Sequence, residues 1–187
     1  RFWGNEEPTS MTEEIESHSK KVNRLSGYNN CLLSKINFLE FSSWFRYITR
    51  RYREEKINAL EECVSLSKEG ERFLTIIKVI REAIDALTKE ATGWHNLEYR
   101  SSQNEQLVMH HNEKGFIPVK MLSDGIRNTI AMVADIAYRA CRLNPHLGEN
   151  AAKETDGVVL IDEVDLFLHP KWQQTILKSL TDAFPKM

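Results

Sequence analysis

Cysteine is scarce here: three residues in 187, none close to another. Cys31, Cys63 and Cys141 form no Cys-x-x-Cys pair. That removes support for a zinc knuckle or a disulfide framework and makes a reducing cytoplasm the simplest context. No apolar stretch is long enough to cross a bilayer, so no membrane role is expected. Charge of one sign is also missing. Twenty-five basic residues stand against 27 acidic ones, and a net charge of −2 does not predict non-specific nucleic-acid binding by the whole chain. There are no internal repeats, no low-complexity tract and no visible signal peptide, and the chain opens Arg-Phe-Trp without an initiator Met. What is present is ordinary for a soluble globular protein, with 41% apolar and 28% charged residues. The length suits one domain or part of a larger one.

Hydrophobic spacing organises the chain. Residues 4–30 are polar and broken by glycine and proline, with a short helix expected at Thr12–Val22. From Asn37, Phe38, Phe41, Phe45, Ile48 and Tyr52 recur at three- and four-residue steps, which predicts an amphipathic helix running to about Ser67. Gly70 is expected to break it. A second helix carries Phe73, Ile76, Ile77, Ile80, Ile84 and Leu87 on one side and ends at Thr92-Gly93. "WHNLEYRSS", "QLVMHH" and "FIPVKML" predict a small antiparallel meander, with "NEKG" as a turn. The adjacent His110 and His111 are expected on its polar part rather than on a metal. Ser123 opens a largely buried helix that Asn144-Pro145 stops. Pro170 opens a last helix bearing Trp172, Ile176, Leu177, Leu180 and Phe184.

Between these last two helices lies "GVVLIDEVDLFLHP". Val158, Val159, Leu160 and Ile161 are continuously apolar, not alternating, which predicts a strand covered on both faces, as in a parallel α/β sheet. Ligands gather at the carboxyl ends of such strands, where Asp162 and Glu163 stand. Aliphatics followed by Asp-Glu match the Walker B pattern. The first acid there helps hold Mg²⁺, often through water, and the second orients or deprotonates the attacking water. The alternative is a core strand ending in a solvated acidic turn. Upstream, "LSDGIRN" places Ser123 where its side chain can cap a helix and Gly125 where a ligand or another backbone can approach closely. The helix N-terminus favours an anion there, and Asp124 opposes it.

Together these motifs resemble the ABC-type ATPase heads related to SMC, RecF and OLD proteins. "LSDG" stands in place of the signature motif, "GVVLIDEVD" as Walker B and "LFLHP" as the D-loop region. Over about Leu107–Pro185 the sequence is similar to a narrower group, the AAA-type ATP-binding proteins of bacterial antiphage defence found in Septu systems and beside retrons. The resemblance implies an α/β fold: the C-terminal part of a P-loop ATPase head, with a parallel sheet flanked by helices, a small antiparallel meander and a helical lobe. On this reading residues 1–93 are the lobe and 94–187 the head segment. It implies ATP and Mg²⁺ as ligands, with ATP held between two protomers in a homodimer or higher oligomer. Asp162 would serve the metal and Glu163 the attacking water in cis, while Ser123 and Gly125 would reach the partner's γ-phosphate in trans. Arg127 would stabilise phosphate charge or pair with an acid across the interface; its structural alternative is a simple salt bridge. His169 would sense the nucleotide or cap the last helix. The implied partner is an effector nuclease of the HNH type, since nothing in this chain resembles a nuclease centre.

The sequence departs from the family in two places. No Gly-x-x-x-x-Gly-Lys-Ser/Thr loop occurs, and no switch histidine follows the final helix, which leads to the expectation of a piece of a longer protein. Two other functions remain open: a RecF- or SMC-like DNA-repair ATPase, and a non-hydrolysing nucleotide sensor or scaffold. Contact with DNA or RNA rests on Arg46, Arg50, Arg51 and Arg53 beside Trp44, Tyr47 and Tyr52. The aromatics partly belong to the core stripe and Glu54 and Glu55 dilute the charge, which favours an ordinary packed helix.

Overall fold

The computed structural model describes residues 38–101 and 106–187. The elements are α1 (Phe38–Glu61), α2 (Lys68–Thr92), β1 (Trp94–Arg100), β2 (Gln106–His111), β3 (Gly115–Pro118), α3 (Asp124–Leu143), α4 (Ala151–Glu154), α5 (Pro170–Gln173) and α6 (Ile176–Ala183), with 3₁₀ turns at Val119–Met121 and Pro145–Asn150. The helix expected at Thr12–Val22 lies outside the described residues.

The central element is α2, which packs against α1, α3, β1 and α6. Its apolar stripe is buried as the spacing predicts, with Ile80 and Ile84 fully enclosed. One continuous core joins them to Phe45 of α1, Leu97 of β1, Met109 of β2, Ile130 and Val133 of α3 and Ile176 of α6. The Trp44 ring lies tilted against Tyr138 of α3, with centroids 3.9 Å apart.

The turn between α1 and α2 differs from expectation. Helix α1 stops at Glu61, and Cys63 takes a left-handed φ of 53°. Ser67 then caps α2, its hydroxyl accepting the Gly70 N–H at 3.0 Å. Gly70 therefore lies inside the first turn of α2 and breaks nothing. A methyl group there would come within 2.7 Å of Leu66 Cδ1 and 3.1 Å of Glu55 Cβ, so the glycine lets the two helices close on each other. The end of α2 follows the sequence: Gly93 is the left-handed cap at φ 78°, donating to the Lys89 carbonyl.

The sheet is antiparallel in the order β1-β2-β3, with His95 opposite His110 and Met109 opposite Ile117. His95 and His110 share a ring-nitrogen hydrogen bond of 3.0 Å on the part-buried outer row, and no cluster of three metal-ligating side chains exists among the described residues. The free edge of β1 would leave backbone groups unpaired. Side chains of both long helices satisfy them. Arg53 donates to the Tyr99 carbonyl and Arg81 to the Leu97 carbonyl, both at 2.7 Å, and Asp85 accepts the Asn96 N–H at the strand's irregularity. Arg51 pairs with Glu54 and Glu69, and Arg46 and Arg50 also have partners.

Two predictions follow from this edge. Arg81→Met strands the Leu97 carbonyl in the interior and is expected to cost about 1–3 kcal/mol in a urea melt. Burial raises the pKa of Asp85, against the lowering influence of the Asn96 N–H, His95, Lys89 and Arg81. A raised acid binds its proton more tightly in the folded state. Its contribution is therefore full below the ordinary aspartate pKa and is lost as pH rises through the raised one. Asp85→Asn keeps an acceptor without the charge. The variant's urea midpoint is expected to gain on wild type as pH rises from about 4.

No parallel sheet is shown among the described residues. Val158 to Ile161 belong to no ladder, and Val158 and Leu160 are 87% and 92% exposed against 39% and 38% for Val159 and Ile161. That alternation is the period of a strand, but a run with aliphatics on both faces needs neighbouring strands and a layer on each side. One bond, Gly157 N–H to the Lys186 carbonyl at 3.3 Å, ties the segment to the chain's last residues. The last helix is also divided. Thr175 turns its N–H and hydroxyl to the Trp172 carbonyl, and α6 begins afresh at Ile176.

Candidate nucleotide site

Ser123 occupies the N-cap of α3 with an extended backbone, but its side chain makes no capping bond, contrary to the expectation from its position. The hydroxyl is exposed and available. Arg127, one turn on, is turned back: it pairs with Asp124 and donates to the Lys120 carbonyl at 3.3 Å. This structure shows the structural alternative, a salt bridge within the chain. Asp124 is thereby partly neutralised at the helix N-terminus, which weakens its opposition to an anion there.

Gly125 is buried. A methyl group on it would overlap the carbonyl oxygen of Phe167 and lie 2.9 Å from that carbonyl carbon and 3.1 Å from Leu168 Cδ2. The glycine therefore admits another stretch of backbone, from the "LFLHP" segment. Sequence reasoning missed Phe167, and the only signal pointing to it was Gly125 itself. The first turn of α3 and the segment after the acids are in contact.

The acids lie between. Asp162 and Glu163 are exposed and make no hydrogen bond or ion pair with described side chains. Glu163 has φ 51° and Phe167 φ 63°, both left-handed, a conformation that costs a non-glycine residue about 1–3 kcal/mol. Two turns close the segment, Leu166 N–H to Glu163 O at 2.9 Å and Leu168 N–H to Asp165 O at 3.1 Å. His169 caps α5, its Nδ1 accepting the Lys171 N–H at 3.3 Å. Its capping role is thus present, and the residue is exposed.

Residues 32–185 match the family described as "AAA domain, putative AbiEii toxin, Type IV TA system". The chain belongs to this AAA-domain family. It is 31% identical over 200 residues to the Retron Vc95 probable ATPase of Vibrio cholerae serotype O1 biovar El Tor, a match covering 90% of this chain and 37% of that protein. It is 33% identical over 138 residues to the Retron Ec83 probable ATPase of Escherichia coli, covering 73% of this chain and 24% of that protein. A shorter match, 40% over 68 residues, covers 35% of this chain and 8% of the Septu protein PtuA of Bacillus mycoides (strain KBAB4). The chain thus spans about a third or less of these relatives.

Family membership implies a nucleotide and a hard divalent cation, and the donor set fits both. Mg²⁺ takes oxygen ligands, commonly one or two carboxylates completed by water and phosphate. Asp162 and Glu163 offer free carboxylates, and Ser123 offers a free hydroxyl at the start of a 20-residue helix. Burial pushes the Cys141 thiol up to about 12, which keeps it protonated and inert near neutral pH. No described helix is long and apolar enough to cross a membrane.

Proposed function

We propose that this chain is part of an ATP-binding, ATP-hydrolysing ABC-type ATPase subunit of a bacterial antiphage defence system, in which nucleotide state controls a partner effector nuclease. The observation that carries this reading is the pair of unengaged carboxylates, Asp162 and Glu163, on a loop docked against the first turn of the helix that Ser123 opens. Similarity to the retron ATPases and to PtuA supports the defence context.

In this reading the exposed run Val158–Ile161 joins a parallel sheet supplied by the rest of an ATPase head, with residues 1–93 as its helical lobe and 94–187 as the head segment. Mg²⁺ supplies charge neutralisation at the phosphates. Asp162 would hold it, and Glu163 would take a proton from the attacking water. Ser123 donates its hydroxyl to the γ-phosphate held by a second copy, and the backbone at Gly125 approaches the same phosphate. Arg127 stabilises phosphate charge once released from Asp124. His169 senses the partner's nucleotide across the homodimer or higher assembly. DNA or RNA, and an HNH-type nuclease, are the proposed partners.

The test is Mg²⁺-dependent ATP binding and turnover by the intact protein beside Asp162→Asn. Turnover that needs Mg²⁺ and falls in the variant supports the reading. Equal, metal-independent ATP binding by both proteins without turnover sinks it in favour of a nucleotide sensor or scaffold.

A further inference from the structure

Gly125 and Glu163 are separated by 38 positions in sequence yet belong to one packed unit. The Phe167 carbonyl rests where a Cβ of residue 125 would stand, and Leu168, 7% exposed, closes the other side. From Phe167 the chain runs back through two tight turns to Glu163. Both ends of that segment are left-handed, at φ 51° and 63°. Such conformations persist only where surrounding structure over-determines them: the Phe167 carbonyl meets Gly125, Gln173 Nε2 donates to the Asp165 carbonyl at 3.2 Å, and Val164 packs part-buried against the core. Phe167 itself is 67% exposed, so its ring is not what anchors the loop. Its carbonyl, set against Gly125, holds the segment's far end.

From this we infer that Gly125 and Phe167 are positioning residues: their contact sets the loop that presents Glu163 in the same chain. This rests on the reading of Glu163 as the base. It adds a role for Gly125 within its own protomer, distinct from any contact with a partner's phosphate. A movement of the first turn of α3 then reaches Glu163 of that chain, so the signature segment and the acid respond together.

The contact is tested first without nucleotide, by hydrogen exchange on the intact protein. Gly125→Ala is expected to speed exchange of the Leu166 and Leu168 amides by about tenfold or more, because their turn bonds open locally. Ser123→Ala, which alters a side chain that makes no capping bond, leaves those amides unchanged. Should Gly125→Ala fold poorly, Phe167→Val asks the same question from the loop side, since a β-branched residue resists positive φ. Phe167→Gly accepts it and keeps the wild-type exchange.

Mixed protomers test the consequence. Gly125→Ala is combined with Glu163→Gln, which leaves one site with an intact acid in cis and an intact glycine in trans. The inference predicts that this site stays impaired, on the order of 10²-fold below wild type, as misplacement of a reacting group by about 1 Å can produce. Recovery of turnover in the mixture, or unchanged exchange in both Gly125→Ala and Phe167→Val, overturns it. Turnover indifferent to Glu163→Gln overturns the functional reading instead, and the exchange result still decides the contact.

Discussion

Glu163→Gln is expected to lower ATP turnover by ~10²–10⁴-fold, the range lost with a general base, while ATP binding persists. The substitution keeps the shape and one acceptor oxygen but removes the proton acceptor. The side chain is exposed and makes no hydrogen bond or ion pair with described side chains, so no structural bond is broken with it. The left-handed backbone at φ 51° is tolerated no worse by Gln than by Glu. Loss of turnover with an unchanged thermal midpoint is therefore the expected signature of chemistry rather than folding. A variant that turns over at the wild-type rate would remove Glu163 from the mechanism.

Phe45→Ala is expected to destabilise the fold by about 3–5 kcal/mol, the range for deleting a fully buried aromatic side chain. Phe45 has no exposed surface and packs its ring 5.6 Å from that of Phe41. It lies where α1 meets the core shared by α2, the sheet and α3, so the cavity has no route to fill from solvent. Marginal stability makes such a loss a large share of the total. Phe45→Leu, which leaves a smaller void, should lose markedly less. Equilibrium urea unfolding of both variants measures the difference, and a small loss in Phe45→Ala would mean that α1 is loosely held.

Features that depend on a few neighbouring residues were legible in the sequence. The stripes of α2 and α3 buried as their spacing requires, and Gly93 and Asn144-Pro145 end those helices where written. The meander followed its turn residues, except that the strand expected over "FIPVKML" stops at Pro118 and Val119–Met121 winds into a 3₁₀ turn. The arginine-aromatic stretch of α1 was legible only in part. Trp44 does belong to the core, but nothing local shows that Arg53 would spend itself on the free edge of β1. Gly70 looked like a breaker because glycine disfavours helices. Its close approach to Leu66 of the turn and Glu55 of α1 depends on how the turn folds the two helices together, which helix propensity does not show.

The candidate site divides in the same way. The identity and order of Ser123, Gly125, Asp162 and Glu163 are sequence facts, and the family they resemble is the one the chain belongs to. Whether Gly125 admits a ligand or a backbone was decided by packing between segments some forty residues apart, whereas Arg127 turns back onto Asp124 and the Lys120 carbonyl close by in the chain. The sequence determined the helices, the turns and the chemistry on offer, because periodicity, caps and side-chain type act over one or two turns of chain. Only the tertiary structure decided which backbone Gly125 receives and which carboxylates stay unpaired, because those depend on which distant surfaces exclude water from one another.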